Sequence, residues 1–187
     1  MSSLREKIKD RRTLLVSKSN SCIPQVLSDT PFEYAISLFK SSINSSITVE
    51  KISVIDPYIL PLDLDNLTSL FGGSSNINLE IVSKFNSASN DDKNDRKTKI
   101  IERKEYLVKN GLFGNIKLIH SKEPMHDRYY IYWNESAMVK VFCIGGSIAQ
   151  RFGDYIGILE VSDKFMLNNI ETYYGNLVSN EIDFLKV

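Results

Sequence analysis

The order of strand-like and helix-like segments constrains the fold of this chain more than any other sequence feature. Apolar segments with the length and pattern of β-strands lie at residues 49–56, 77–85, 116–120, 129–133, 139–144 and 155–161. Helix-length connections separate the first three segments, and crossovers of that length join parallel strands. The later segments follow at short intervals, and the link 134–137 indicates an antiparallel hairpin. The sequence therefore predicts an α/β protein with a mixed sheet.

Helices are predicted where apolar residues recur with helical spacing. These segments are residues 31–43, 64–71, 96–110 and 164–177. Pro31 and Glu33 fit the first turn of a capped helix, and Asp163 is placed to cap the last helix. Gly72 and Gly111 stand where the second and third helices should end. Because helices both separate and follow the strands, we expect them to cover both faces of the sheet.

Charge and composition exclude several classes of protein. The chain has 23 Lys and Arg residues against 23 Asp and Glu residues, so its net charge is zero. A strongly basic protein that coats DNA by bulk charge is excluded, whereas a local basic patch is not. No apolar run approaches the roughly 18 residues needed to span a bilayer. We therefore expect no transmembrane segment.

The sequence also predicts the cellular compartment of the protein and its division into domains. The polar start of the chain, residues 1–12, lacks a secretory apolar region. The two Cys and two His residues show no metal-ligand spacing, so we expect no structural zinc and no cofactor. We predict a reduced, cytoplasmic protein, with an N-terminal arm at residues 1–30 and one domain at residues 31–187. The arm is expected to form a short helix and a strand at residues 13–17, followed by a loop.

The stretch with most chemical content runs from residue 124 to residue 160. His126 and Arg128 immediately precede one predicted strand, and Gly146 and Ser147 follow the next. A residue before one strand and residues after its antiparallel neighbour meet at the same edge of a sheet. Open α/β sheets bind ligands at strand ends, so this edge is the predicted site.

These residues carry a family resemblance. His126-x-Arg128, followed two strands later by Gly146-Ser147, resembles the half-site of the phospholipase D superfamily, which has Lys at the position of Arg128. The upstream Asp56-Pro57-Tyr58 is similar to the phospholipase D-like C-terminal domain of MIT-domain proteins and to bacterial relatives found in antiviral defence loci. The resemblance covers residues 49–160. It implies a phospholipase D-like mixed β-sheet with helices on both faces.

The resemblance also implies a reaction and its residues. Active members are phosphodiesterases in which one His attacks phosphorus and a second His protonates the leaving oxygen, without a metal. A chain with one half-site supplies both groups only as a homodimer, with His126 in each role. Arg128, Gly146 and Ser147 would bind the phosphate. Either Asp154 or Glu160 would orient the His ring, and Asp56 is a third candidate.

Two departures from the family pattern favour an alternative. The family Asp that stands seven residues after the His falls on Trp133, and its Asn falls on Ala149. A module that lost catalysis would bind anionic lipid, as the MIT-linked relatives do, or dock a protein partner encoded in the same operon. The first hypothesis remains a metal-independent nuclease or nucleic-acid-binding subunit of a bacterial antiviral defence system.

Charge distribution adds a second argument for nucleic acid. Residues 96–122 contain eight basic and two acidic residues. On the predicted helix Arg96, Lys99 and Arg103 recur at spacings of three and four, which predicts one exposed stripe. Lys122 is a further candidate contact to nucleic acid. Such a stripe is suited to sequence-independent phosphate contacts. The alternative is an ordinary solvated helix face.

Overall fold

A computed structural model describes residues 25–26, 31–44, 48–85, 93–146, 148, 157–179 and 181–183. Its helices are α1 (Pro31–Ile43), α2 (Asp63–Phe71), α3 (Lys93–Lys109) and α4 (Lys164–Ser179). Its strands are β1 (Gln25–Val26), β2 (Lys51–Ile55), β3 (Asn78–Ser83), β4 (Asn115–Ser121), β5 (Tyr129–Asn134), β6 (Ala137–Ile144), β7 (Gly157–Glu160) and β8 (Glu181–Asp183).

The described strands form one sheet in the order β1-β7-β6-β5-β2-β3-β4-β8. Strands β2, β3 and β4 are parallel, and every other neighbouring pair is antiparallel. The helical crossovers therefore join parallel strands, and the short link after β5 forms the predicted hairpin. The predicted α/β fold with a mixed sheet is confirmed.

Alternation along the strands divides the apolar residues between two faces of the sheet. The first face packs against α1, α2 and α3, and its core includes Phe39, Val54, Leu67, Ile81, Ile100 and Tyr130. The second face packs against α4, and its core includes Ile55, Val82, Ile131, Val141, Ile170 and Leu177. Helices cover both faces, as predicted. Among the described residues, no helix is long and apolar enough to cross a membrane.

Helix ends follow the local sequence. The N–H of Met166 donates to Oδ1 of Asp163 at 3.0 Å, which confirms Asp163 as the cap of α4. Gly111 has φ +68° directly after α3, a conformation that a side chain would strain. A Cβ on Gly72 would lie 2.6 Å from the carbonyl oxygen of Thr68, so only glycine fits at the end of α2.

Two short strands were not predicted. Strand β1 pairs with β7, although the sequence indicates no strand in that part of the N-terminal arm. Strand β8 pairs with the outer side of β4. Both are too short to show an alternating pattern, so only pairing in the folded sheet reveals them. The rest of residues 1–30 lies outside the described residues, and the division into arm and domain stays a prediction.

The connection between β4 and β5 places the predicted site. We call the side of the sheet at which β2, β3, β4 and β6 end and β5 begins the carboxyl edge. Because β5 lies beside β2, residues 122–128 must cross the ends of β3 and β2, a span of about 14 Å at normal strand spacing. Met125 is 5% exposed and packs into the second core, so this crossover is held against the sheet.

Candidate phosphate site at the carboxyl edge

Strand register brings four chemically active residues into one row. Ser83 pairs with His120 in the last pair of β3 and β4. The residues one step beyond the last pairs of β2 and β5 extend the row to Asp56 and Arg128. On the far side, the N–H of Ile144 donates to the carbonyl of Arg128 at 2.9 Å. By alternation, the row faces the side of the sheet that α1, α2 and α3 cover.

A buried ion pair lies at the centre of this row. Oδ2 of Asp56 is 3.3 Å from Nε of Arg128, and the Asp56 side chain is fully buried whereas that of Arg128 is 20% exposed. The N–H of Tyr58 donates to Oδ1 of Asp56 at 2.9 Å. Burial raises the pKa of Asp56, although the Tyr58 hydrogen bond and the charge of Arg128 oppose that rise. Arg128 is thus positioned by a carboxylate that is itself fixed by the backbone.

The edge has buried polar atoms with unused hydrogen-bonding capacity. Oδ2 of Asp56, Oδ1 of Asp63, Nε of Arg128 and Oη of Tyr130 have no hydrogen-bond partner among the described residues. Folded proteins pair about nine in ten buried polar groups. Two of the four, Oδ2 of Asp56 and Nε of Arg128, already face each other at 3.3 Å in the ion pair, so the unused capacity lies mainly at Oδ1 of Asp63 and Oη of Tyr130. Their charges are close enough to interact, because Asp56 and Asp63 both raise the already elevated pKa of buried Tyr130.

Asp63 belongs to the same group of residues. It is 1% exposed, and its Oδ2 accepts the N–H of Leu60 at 2.7 Å. Burial, and to a lesser degree the charge of Asp56, raises the pKa of Asp63 to about 6. Two carboxyl groups therefore lie beneath the edge, and neither ionises as readily as a carboxyl in water.

His126 lies exposed on the crossover, two residues before Arg128. The charge of its neighbour Asp127 acts on residues at the opposite face of the sheet. The charge of Asp127 contributes, after burial, to raising the pKa of Tyr129 to about 12, and it also raises the pKa values of Cys143 and Tyr173. All three belong to the face that α4 covers. The acidic member of the His-Asp-Arg sequence is therefore separated from Arg128.

The remaining predicted site residues have different outcomes. Gly146 is half-buried just beyond β6, whereas Ser147 and Asp154 lie outside the described residues. Glu160 pairs with Phe142 in the strand register and forms an ion pair with Lys140 at 3.7 Å. Its ionic partner is thus a lysine. The carboxyl group of Asp56, the third candidate, lies against Arg128.

The exposed basic stripe predicted on α3 is wrong in part, because Arg96 is buried whereas Lys99 is exposed and Arg103 is partly exposed. Arg96 is 8% exposed. Lys99 forms an ion pair with Asp95 at 2.6 Å. Nε of Arg103 donates to Oδ1 of Asp65 on α2 at 2.6 Å. Helical spacing shows which side chains share a face, but it does not show which neighbouring helix that face meets. Lys122, the fourth predicted member, is exposed on the crossover.

The carboxyl edge also contains basic residues that the sequence did not single out. Lys84 follows β3, and its Nζ donates to the carbonyl of Lys122 at 2.8 Å. His120 is half-buried at the end of β4. Burial, and then the charges of Lys84 and Lys122, lower the pKa of His120. The available sequence signal was their position directly at the ends of parallel strands.

The position at which the family resemblance places Asp has a structural role here. Trp133 is 4% exposed, and its Nε1–H donates to Oγ of Ser53 at 2.9 Å. Ser53 donates in turn to Oε1 of Glu80 at 2.9 Å, and Lys51 lies 4.5 Å from the centre of the Trp133 ring. This network lies at the opposite end of β2 from Asp56, so Trp133 does not act at the carboxyl edge.

The donor groups at the carboxyl edge suit an anion. The described residues contain no group of three or more His, Cys, Asp or Glu side chains arranged to hold a metal ion. The basic groups are Arg128, Lys84 and Lys122, and guanidinium and ammonium groups bind phosphate oxygens by charge-assisted hydrogen bonds. These basic groups can therefore bind an anion at this edge.

Comparison with known proteins supports the fold. No family model and no curated protein matches the chain. The solved structure of NucT from Helicobacter pylori is similar, with a TM-score of 0.52 and 15% identity, over 87% of this chain and 99% of that chain. TrmBL2, described as an archaeal chromatin protein with a novel mode of DNA binding, gives a TM-score of 0.43 and 13% identity, over 96% of this chain and 62% of that chain. The similarity to NucT supports a phospholipase D-like fold.

Proposed function

We propose that this protein is a phosphodiesterase that acts on nucleic acid, with His126 as nucleophile and Arg128 as phosphate ligand. One observation carries the proposal: exposed His126 lies two residues before Arg128, whose guanidinium is positioned at the carboxyl edge by buried Asp56. A nucleophile must be accessible, and a phosphate-binding cation works best when it is already in place. Both conditions are met within three residues.

The proposed reaction has two steps. A ring nitrogen of His126 attacks phosphorus, the bond to the leaving oxygen breaks, and His126 of a second copy donates a proton to that oxygen. Water then attacks the phosphohistidine, gives its proton to the second His, and releases the first ring. Arg128 stabilises the negative charge on the non-bridging oxygens in both steps. The need for two such His residues is the reason for proposing a homodimer.

The other predicted residues keep supporting roles in this proposal. The backbone at Gly146 and the side chain of Ser147 would bind the same phosphate, and Asp154 or Glu160 would orient the His ring. The resemblance to defence-associated bacterial proteins supports a role in antiviral defence, in the cytoplasm and beside a partner protein encoded in the same operon. None of these points is needed for the test of the chemistry.

The test is cleavage of labelled single- and double-stranded DNA and RNA in excess EDTA. His126→Ala should lower the cleavage rate by about 10³-fold or more, and Arg128→Ala by about 10²-fold. Lys164→Ala, an exposed position on α4, is the control and should leave the rate unchanged. Cleavage that survives His126→Ala, or that appears only with added metal, would eliminate the mechanism. Acid-labile labelling of the wild type but not of His126→Ala would identify the phosphohistidine.

A second candidate function is binding without turnover, and Trp133 favours it. The residue at the family Asp position is committed to a buried hydrogen bond with Ser53. A protein of this kind would bind oligonucleotides, anionic vesicles or a protein partner but cleave none. Flotation with phosphoinositide vesicles and anisotropy with oligonucleotides separate these ligands. Binding that Arg128→Ala weakens and His126→Ala leaves intact, with no cleavage by the wild type, would establish this function.

A further inference from the structure

We propose that Lys84, His120 and Lys122 form a second anion subsite, so that the ligand is a polynucleotide strand lying along the carboxyl edge rather than a single phosphate ester. The inference rests on the proposed function for the first phosphate at Arg128. It adds the substrate class, since a lipid headgroup or a dinucleotide is too short to occupy both positions.

The first argument is the separation between the two positions. His120 and Arg128 occupy the same row, and β4, β3, β2 and β5 are consecutive neighbours in the sheet. Three strand spacings correspond to about 14 Å. At the rise of a B-form strand, about 3.4 Å per phosphate, this distance spans about four nucleotides, and an extended strand covers it with fewer. The two positions therefore fit phosphates of one short oligonucleotide.

The second argument is that the subsite is built from two strand ends. Lys84 directly follows β3 and Lys122 directly follows β4, and the Lys84 ammonium donates to the Lys122 carbonyl at 2.8 Å. This bond holds the Lys84 charge at the edge. Ser83 stabilises the same turn, because its Oγ accepts the N–H groups of Ile59 and Phe85 at 3.3 and 3.1 Å.

The third argument is that the three groups of the subsite lie close enough to interact electrostatically. The charges of Lys84 and Lys122 both act on the His120 ring, which shows that the three groups share one region. Of the acidic residues on the crossover, Glu123 is half-buried and Asp127 acts on the face that α4 covers. The carboxyl groups of Asp56 and Asp63 also lie on the side that carries Arg128, but both are buried and Asp56 is paired with Arg128. Among the described residues, the exposed charges at this side of the edge are therefore the basic ones.

The fourth argument is continuity with the proposed catalytic residue. The crossover runs from Lys122 through His126 to Arg128, and buried Met125 holds it against the sheet. A strand that follows the crossover meets the subsite and the reacting centre in turn.

The experiment is fluorescence anisotropy with labelled single-stranded DNA of two and eight nucleotides. The variant Lys84→Gln/Lys122→Gln retains a donor for the Lys122 carbonyl, and Lys109→Gln/Lys164→Gln is a control with the same change in charge at two exposed positions. We expect the first variant to bind the eight-nucleotide strand about tenfold more weakly and to reduce the salt slope by about 1.4, or about 0.7 for each lost phosphate contact to a single strand. Its affinity for the dinucleotide, and all affinities of the control, should change less than about twofold.

The outcomes separate this inference from the proposed function. Wild-type protein that binds no oligonucleotide, or equal losses for the two lengths, would overturn the subsite. If Lys84→Gln/Lys122→Gln binds the eight-nucleotide strand as tightly as the control variant does, the subsite is overturned as well. This holds even if the wild type hydrolyses bis(p-nitrophenyl) phosphate. A length-dependent loss supports the subsite even if no substrate is cleaved, in which case only the proposed hydrolysis fails. Circular dichroism of each variant confirms that it is folded.

Discussion

The two ends of the sheet contain polar clusters that differ in how far their buried groups are hydrogen-bonded. At the amino end of β2 and β3, Oε1 of Glu80 accepts hydrogen bonds from Ser53 and Tyr174, and Ser53 accepts one from Trp133. At the carboxyl edge, Oδ1 of Asp63 and Oη of Tyr130 form no hydrogen bond among the described residues, and Oδ2 of Asp56 and Nε of Arg128 contact each other in an ion pair without hydrogen-bond geometry. Strands β2 and β5 contribute residues to both ends. The difference in hydrogen bonding therefore does not arise from which strands are present or from how deeply they are buried.

This difference indicates that the amino end of the strands stabilises the fold, whereas the carboxyl edge has polar groups that can contact a ligand. A fully satisfied buried network fixes the position of its members and stabilises one packing arrangement. Here it connects α4 to the sheet, since Lys51 donates to the Tyr174 hydroxyl at 3.1 Å. A buried group without a partner carries a free-energy cost, and proteins tolerate such costs mainly at functional sites. We therefore expect substitutions at the two ends to affect different properties.

The largest expected loss of stability comes from the satisfied end. Glu80→Ala removes the acceptor of two hydrogen bonds and the counter-charge of Lys51, which lies 3.8 Å away. We expect it to lower the free energy of unfolding by about 3 kcal/mol. Urea denaturation measures the effect, with Glu102→Ala on the exposed side of α3 as a control that should cost less than about 0.5 kcal/mol. A loss below about 1 kcal/mol would contradict the structural role of the network.

Arg128→Ala should have a smaller and pH-dependent effect on stability. Without the Arg128 charge, burial raises the pKa of Asp56 further, because that charge lowers it in the wild type. A carboxyl whose folded pKa is raised destabilises the protein once it ionises, so the deficit relative to wild type should grow as the pH rises above the folded pKa of Asp56 in the wild type, which burial already raises. We expect a deficit of about 2 kcal/mol at pH 7 and less at pH 4.5.

A double variant tests the cause of that deficit. Asp56→Asn removes the ionisable group, so Arg128→Ala/Asp56→Asn should lose the pH dependence relative to Asp56→Asn alone. A deficit of equal size at every pH would mean that lost packing, rather than the uncompensated carboxylate, destabilises Arg128→Ala. Denaturation curves at several pH values distinguish the two causes.

Asp63→Asn should stabilise the protein near neutral pH. The pKa of Asp63 is raised to about 6 in the folded state, so ionisation between about pH 4 and pH 6 favours unfolding. Asn removes that ionisation and keeps an oxygen that can accept the N–H of Leu60. A fully buried group would yield about 3 kcal/mol, and partial solvent contact reduces the expected gain to about 1–2 kcal/mol at pH 7.

The pH dependence is the sharper readout for Asp63. The free energy of unfolding of the variant minus that of the wild type should rise from pH 4 to pH 6 and then stay level. A difference that does not change with pH would show that Asp63 ionises normally, and the carboxyl edge would then lack one of its two perturbed acids. Equilibrium denaturation across that range provides the measurement.

Much of the fold could be predicted because its signals are local. Apolar alternation identified β2 to β7, apart from their bounds, and helical spacing identified all four described helices. The contact of Arg128 with the end of β6 also followed from sequence, because hairpin strands pair in a known direction. Asp56 was singled out as a strand end, but its pairing with Arg128 depends on β5 lying beside β2.

The parts that could not be predicted depend on strand order and on distant packing. Lys84 and His120 lie on the edge with Arg128 only because β3 and β4 extend the sheet beyond β2. Trp133 and Glu80 share a network through Ser53 on the strand between them, and the helix that completes it lies far along the chain. Arg103 meets Asp65 because α2 and α3 pack on the same face. Contacts between residues this far apart in the chain leave no signal in a local sequence pattern.

Lys99 provides the smallest expected effect and the clearest contrast with the sequence-based interpretation. It lies on α3, 60% exposed, and pairs with Asp95 one helical turn earlier. Exposed pairs at this spacing contribute about 0.3–0.5 kcal/mol, so Lys99→Ala should lower stability by no more than that, and Asp95→Ala should do the same. The affinity of Lys99→Ala for an eight-nucleotide strand should fall less than twofold, whereas the affinity of Lys84→Gln/Lys122→Gln should fall about tenfold. An equal loss for Lys99→Ala, measured by anisotropy at the same salt concentration, would mean that the strand lies along the helix after all.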